Sequence, residues 1–379
     1  MSQKELGLYI HIPFCKQKCY YCDFPSYSGM EEYWEAYTDA VVHELVIKAG
    51  AFRQERIKSI FIGGGTPSLI PYADIARILD TVRSYYNTNK DCESTVESNP
   101  GTLTSEKLAA YRSAGINRLS LGLQACQDRL LKKLGRIHTF HDFKEAVNLA
   151  QTHGFENINA DIIFGIPGQS FEEWRETIAQ VLAINLTHIS CYSLKIEEET
   201  VFGRMAKEGT LHEVEDEMDR QMYHYAINEF HGAGFDQYEI SNFAKPQYRC
   251  KHNMNYWERG EYIGIGGGAH SFYQNRRYAN TPDVLKYIEG VKKESLILSE
   301  DTTLSVEDGM AERIILGLRL NKGIDLALIS KEFGMDMEKK YHKELAKLLS
   351  QKLVERDGTM IRLTKIGMDL ANTVFIEFI

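Results

Sequence analysis

Six short β-rich runs alternate with amphipathic helical stretches in the first half of the chain, and this alternation restricts the fold more than any other feature. The runs are LGLYIHI (6–12), SIFIGG (59–64), STVESN (94–99), RLSLGL (118–123), NINADIIF (157–164) and THISCYSL (187–194). Between them lie helical patterns such as EEYWEAYTDAVVHELVIKA (31–49) and SFEEWRETIAQVLAIN (170–185). Consecutive β-α units predict a parallel sheet with helices outside it. A doubly wound sheet and a (β/α) barrel both satisfy that pattern. Polar and glycine residues gather at the C-terminal ends of the runs, where a barrel builds its site. The expected class is α/β, a partial (β/α)6 TIM-like barrel over residues 1–195.

Beyond the alternation the character changes twice. Residues 196–219 carry nine Asp or Glu and read as a loop. A helix over 219–234 then leads into an aromatic, glycine-rich stretch to about residue 280, so 196–300 is expected to extend the barrel. From 301 the pattern is three helices (305–318, 324–333, 337–352), a β-hairpin turning at Asp357-Gly358 and a last helix. That is the order of a winged-helix-like α+β domain. Its 12 Lys or Arg against 13 Asp or Glu argue for a packing or docking module over a nucleic-acid reader.

The whole chain has a net charge of −9, so no global basic surface exists to hold nucleic acid. The opening MSQKELGLYIHIPF lacks the apolar run of a signal peptide, and no run of transmembrane length follows. A cytoplasmic protein without an intrinsic membrane anchor is expected. Its thiols are then reduced and not paired in disulfides.

Three of the seven cysteines need a chemical explanation. HIPFCKQKCYYCDF (11–24) places Cys15, Cys19 and Cys22 in a Cys-x3-Cys-x2-Cys spacing. Thiolates this close reach the corners of one iron–sulfur cube. Structural zinc needs a fourth ligand, and no further Cys appears until Cys92. His11 could complete a Cys-three-plus-His zinc site, although zinc motifs pair their ligands across a longer loop. The favoured reading is a 4Fe–4S cluster with one open iron. Cys92 and Cys191 lie in strand-like apolar stretches and read as buried thiols. Cys126 and Cys250 stand alone.

This cysteine motif, with Tyr21 before its last Cys, resembles that of the radical S-adenosylmethionine (SAM) superfamily. Members chelate the open iron with SAM and cleave it to a 5′-deoxyadenosyl radical; the cofactor carries the chemistry and the protein aims it. The resemblance implies further SAM contacts. FIGGGTPS (61–68) sets Gly64, Gly65 and Thr66 after a strand, where a glycine turn lets backbone approach the methionine amino group. Glu97, Gln124, Arg136 and Asp161 follow in consecutive β-α units. With Tyr9 they match SAM-contacting positions of the coproporphyrinogen-oxidase-like branch, where such residues face the ribose, the carboxylate and the adjoining polar edge. The resemblance covers essentially the whole chain, the C-terminal domain included.

Two kinds of protein share that branch: the oxygen-independent coproporphyrinogen III oxidase, which decarboxylates, and a haem chaperone. The oxidase has a further Cys two residues past the cluster, where this chain has Phe24, and a longer segment before it. Both departures lean toward the chaperone. CKHNMNYW (250–257) resembles the chaperone signature associated with haem. It implies His252 as a candidate iron ligand, Tyr256 and Trp257 as flat faces for a porphyrin, and Asn253 as a propionate or imidazole partner. Without the resemblance, the same aromatics pack beneath the barrel and His252 is a satisfied core histidine. His270, in the glycine-rich YIGIGGGAHS, reads as structural. The cofactors implied are the 4Fe–4S cluster, SAM and haem. The partners implied are haem-accepting respiratory proteins and a second copy in a homodimer, with cluster and SAM serving regulation, dimerisation or a further reaction.

Overall fold

A computed structural model describes residues 3–379 of the chain. The six expected strands form and pair in parallel in chain order: β1 (Glu5–Ile12), β2 (Arg56–Gly64), β3 (Thr88–Ser98), β4 (Arg118–Gln124), β5 (Asn157–Phe164) and β6 (His188–Ser193). β1 and β6 do not pair, so the barrel is partial, as expected. Helices between the strands bury their apolar stripes on the outer face. Ile75, Ile78, Leu79 and Val82 of Tyr72–Tyr85 are typical, and all are buried. Helix starts follow local chemistry: Thr139 with Asp142 and Ser170 with Glu173 form capping boxes.

The sheet runs further than the alternation predicted. Four strands add beyond β1: β9 (Tyr262–Ile265), β10 (His270–Tyr273), β11 (Arg276–Asn280) and β12 (Leu298–Thr303). Two add beyond β6, namely β7 (Asp236–Glu239) and β8 (Asn242–Ala244), giving among the described residues a twelve-stranded sheet in the order β12-β11-β10-β9-β1-β2-β3-β4-β5-β6-β8-β7. The acidic stretch expected to be loop contains a short helix, Val201–Lys207, opened by the Thr200 hydroxyl accepting from Gly203 N–H. The helix expected over 337–352 is two, Met337–Lys340 and His342–Ser350, parted at Tyr341.

The C-terminal region has its own core, with Met310, Ile314, Leu348, Ile361 and Val374 buried together. Its small sheet joins β13 (Ile324–Asp325), β14 (Val354–Asp357) and β15 (Met360–Leu363), and β14 and β15 pair antiparallel across Asp357-Gly358. No helix among the described residues is long and apolar enough to cross a membrane.

Candidate functional site

Strand alternation sends every second side chain into the barrel. On this chain the inward series is polar at several levels. It includes Ser59 on β2, Glu93 and Glu97 on β3, Arg118 and Ser120 on β4, Asn159 and Asp161 on β5, and His188 and Ser190 on β6. At the C-terminal end of the strands the barrel opens into a cavity of about 380 Å³. Cys15, Cys19, Cys22, Tyr21, Gly64, Gly65, Glu97, Gln124, Arg136 and Asp161 all line it. Residues separated by up to about 145 positions in sequence therefore share one wall, and each was named from its own motif.

The cysteine loop is held at its base and its flank. Cys15 N–H donates to Tyr27 O at 2.9 Å and Tyr27 N–H to Pro13 O at 2.7 Å, which closes the loop. Tyr20 N–H reaches Leu134 O at 3.0 Å, and Gln17 Nε2 reaches Gly135 O at 3.0 Å. Two donors face the sulfurs: Thr66 Oγ1 is 3.7 Å from Cys15 Sγ, and Arg136 Nη1 is 3.6 Å from Cys19 Sγ. Asn99 Nδ2 donates to Thr66 Oγ1 at 2.8 Å, while its Oδ1 accepts from Arg136 Nη2 at 2.6 Å. One asparagine thus aims both donors. Burial opposes the Arg136 charge, but the Tyr21 phenol and the Cys19 thiol beside it outweigh that and hold its pKa above the ordinary guanidinium value. Burial pushes the Cys15 and Cys22 thiols up.

The glycine turn is a steric requirement. Gly64 has φ +115°, and an added Cβ would lie 2.5 Å from the His11 ring; at Gly65 it would lie 2.6 Å from Phe14 O. Gly64 N–H donates to Glu97 Oε2 at 3.1 Å. At the end of β4 the pairing slips between Gly122 and Gln124, and Gln124 adopts φ +73°, which re-aims its side chain into the cavity.

Two carboxyls carried by the strands themselves, Glu97 and Asp161, face the cavity. Burial, reinforced by the Asp161 charge, raises Glu97 to about 8. Burial also raises Asp161. Asn159 Nδ2 donates to Asp161 Oδ1 at 2.8 Å and Ser120 Oγ to Asp161 Oδ2 at 3.2 Å. Behind Asn159, its Oδ1 accepts from His188 Nδ1 at 2.6 Å, and His188 Nε2 pairs with Tyr238 OH at 2.9 Å. Asn99, Ser120, Tyr192 and Ser193 line the cavity although the motifs did not single them out. The period-two rule was the available signal: Ser120 shares the Gln124 face of β4, and Asn159 shares the Asp161 face of β5.

Tyr9 and His11 lie behind this front. Tyr9 OH pairs with His11 Nδ1 at 2.9 Å, and His11 Nε2 with Pro25 O at 2.8 Å. Both His11 nitrogens are engaged, and burial lowers its pKa to about 4. His11 is therefore not placed as a zinc ligand. Among the described residues no three His, Cys, Asp or Glu side chains converge on a point suited to a single ion. Cys15, Cys19 and Cys22 border one cavity, and three thiolates are a donor set for three of the irons of a 4Fe–4S cube.

The second constellation is arranged differently from its expected role. His252 lies on helix Lys251–Trp257 and is 1% exposed. Nδ1 pairs with Ser59 Oγ at 2.9 Å, Nε2 pairs with Tyr256 OH at 2.8 Å, and the ring stacks on Phe61 at 5.2 Å. Burial lowers its pKa to about 3. Expected to present an open iron-ligating nitrogen, His252 is instead sealed in the floor of the barrel. Tyr256 packs edge-on against Tyr262 at 4.6 Å, Arg319 lies over one face of the Trp257 ring at 4.3 Å, and both aromatics are half-buried. Asn253 is half-buried on the same helix. Glu93 anchors the helix: its oxygens accept from Lys251 N–H at 3.0 Å and His252 N–H at 3.1 Å.

Comparison with known proteins agrees with the architecture. The radical SAM superfamily matches residues 9–181, and the HemN C-terminal domain matches residues 304–370. A solved coproporphyrinogen III oxidase (HemN) of Escherichia coli, itself a radical SAM enzyme, superposes with a TM-score of 0.88 at 24% identity, covering 99% of this chain and 90% of that one. That likeness defines the fold: a radical SAM partial barrel with a HemN-type C-terminal domain. Heme chaperone HemW of Lactococcus lactis is 35% identical over 100% of this chain and 98% of its own length. Heme chaperone HemW of Bacillus subtilis is 34% identical over 98% of each. The chain belongs to the HemW family of the radical SAM superfamily.

Proposed function

We propose that the protein is a haem chaperone that binds haem and a SAM-ligated 4Fe–4S cluster and hands haem to haem-requiring proteins of the respiratory chain. The observation that carries the cofactor part is the single cavity bordered by Cys15, Cys19 and Cys22 on one side and by Gly64, Glu97, Gln124 and Asp161 on the other. Cys15, Cys19 and Cys22 would hold the cluster through their thiolates, and SAM would lie beside it against Gly64, Glu97, Gln124 and Asp161. When bound, cluster and SAM supply one-electron chemistry. The chain's own residues do the rest. Arg136 and Thr66 donate toward the sulfurs, Gln124 and Asp161 present fixed polar groups, and Glu97 is poised to take or hold a proton near neutral pH.

The haem part rests on the HemW relatives, whose names describe heme chaperones. We assign haem to the CKHNMNYW helix in an opened form. For His252 to reach iron, one ring nitrogen must give up its hydrogen bond, Nδ1 to Ser59 or Nε2 to Tyr256, at a cost of about 1 kcal/mol. Coproporphyrinogen decarboxylation is the alternative. Phe24, which stands where the oxidase has a Cys, lies on the cavity wall with 63% of its surface exposed and offers no sulfur there.

The test uses anaerobically reconstituted full-length protein with SAM and a reductant, given haem and coproporphyrinogen III in parallel. A stable Soret complex with no decarboxylated product is expected. Turnover to protoporphyrinogen would make the chain an oxidase. Cys19→Ser is expected to lose the brown cluster absorbance and its iron; an unchanged spectrum removes the cluster reading.

A further inference from the structure

Ser193 ends β6 on the cavity wall, next to Tyr192. Its hydroxyl donates to Asp219 Oδ2, on the helix Asp216–Gly232. Asp219 also crosses the end of β5. Gly165 has φ +71° there, and an added Cβ would lie 3.0 Å from Asp219 Oδ2. The other carboxylate oxygen, Oδ1, accepts from Arg220 Nη2 at 2.7 Å. Arg220 Nη1 then donates at 3.2 Å to both the carbonyl and the Oδ1 of Asp369, a residue of the C-terminal domain. His224 Nε2 lies 3.0 and 2.9 Å from the two Asp369 carboxylate oxygens.

A carboxylate–guanidinium–carboxylate chain therefore runs from the cavity wall to the C-terminal domain. Asp219 and Asp369 are mostly buried, at 15% and 19% side-chain exposure. Isolated surface pairs contribute little. Here the charges are shared along one path, and Asp219 touches the ends of two of the strands that carry the wall. The cluster and SAM contacts described above use none of Asp219, Arg220, His224 or Asp369.

We infer that Asp369 and Asp219 are positioning residues that hold Ser193 and the β6 end, so that the seating of the C-terminal domain sets the affinity of the cavity for its small-molecule ligand. The identity of that ligand as SAM rests on the function proposed above.

The experiment uses the full chain with its cluster reconstituted and compares Asp369→Ala, Ser193→Ala, the double variant and Lys347→Ala. Lys347 pairs with Glu377 within the C-terminal domain, away from the chain of charges, and serves as the control. SAM affinity is read by calorimetry and by the change SAM makes in the electron paramagnetic resonance of the reduced cluster. Hydrogen exchange at residues 190–195 is read without SAM. Asp369→Ala is expected to weaken SAM about five-fold, at the lower end of coupling between sites, and to speed exchange at the β6 end. The double variant is expected to be no weaker than the weaker single variant, because both remove one connection. Losses that multiply in the double variant would overturn the inference. So would Lys347→Ala matching Asp369→Ala, or exchange at β6 unchanged by Asp369→Ala. Absence of SAM binding in the unaltered protein would refute the cavity reading instead, and the exchange result would still decide the connection to the C-terminal domain.

Discussion

Arg136 Nη1 points at Cys19 Sγ from 3.6 Å while Nη2 is locked by Asn99 Oδ1 and Gly122 O at 2.6 and 2.7 Å. With the proposed cluster bound on Cys19, a fixed positive charge beside that sulfur would stabilise the more negative, reduced state. Arg136→Ala is expected to leave the three thiols able to bind iron but to make the cluster harder to reduce. Loss of one charge-assisted interaction of about 1.4 kcal/mol corresponds to a potential about 60 mV more negative for one electron. Redox titration followed by electron paramagnetic resonance measures it; an unchanged potential would show that the guanidinium serves packing alone.

Glu97 gives the cluster-free protein a pH dependence. Its carboxyl is raised to about 8 when folded, chiefly by burial and then by Asp161. In the unfolded chain it ionises near the ordinary glutamate value of about 4.3. Between these values the unfolded state binds fewer protons than the folded one, so stability falls as pH rises. Glu97→Gln removes that slope. Chemical denaturation at pH 5.5 and 8.5 should show the difference between the two conditions shrinking by on the order of 2 kcal/mol, less than the full shift because the carboxyl faces a cavity open to water. An identical pH difference in both proteins would place the perturbed group elsewhere.

Glu93 supports the floor of the barrel. Its two oxygens accept from the first backbone N–H groups of helix Lys251–Trp257, whose amides have no partner inside the helix. Glu93→Gln keeps the shape, halves the acceptor capacity and removes the charge. We expect a loss of about 1–3 kcal/mol in unfolding free energy, with cluster iron content unchanged. Loss of iron together with stability would mean that the floor and the cavity fold as one unit.

Much of the cavity was legible because many of its contributors lie at or soon after a strand end with a local signature: the cysteine spacing, the glycine turn, and a polar residue within or closing an apolar run. Alternation then gave the barrel. What escaped the sequence were pairings between distant segments. β9 joins β1 through Gly7–Tyr262 and Tyr9–Gly264 register, and no local pattern in YIGIGGGAHS announces that edge. The same holds for His252. The family resemblance makes that imidazole look like a ligand, whereas the residues alone read as a satisfied core histidine, and only tertiary packing reveals Ser59, a strand away, as its partner. Ser193, Asp219 and Asp369 escaped for a similar reason, since charged and hydroxyl residues on loop and helix surfaces carry no periodic signal of whom they meet.

His252 gives the sharpest test of the haem assignment. Replacing it with alanine leaves Ser59 and Tyr256 without their partner in a buried site and opens a gap beside Phe61, so a loss of about 2–4 kcal/mol in stability is expected whatever the residue does for haem. Stability alone therefore decides nothing. Ser59→Ala separates the roles, because it removes one restraint on the imidazole and keeps the imidazole itself. If His252 ligates haem from an opened helix, a larger open fraction tightens apparent binding in proportion. Ser59→Ala is then expected to bind haem more tightly and His252→Ala to bind it weakly, both read as Soret titrations at a temperature where each variant is folded. Equal haem affinity in the unaltered protein and both variants would make His252 a structural histidine and move haem to another surface of the molecule, while leaving the cluster and SAM assignments untouched.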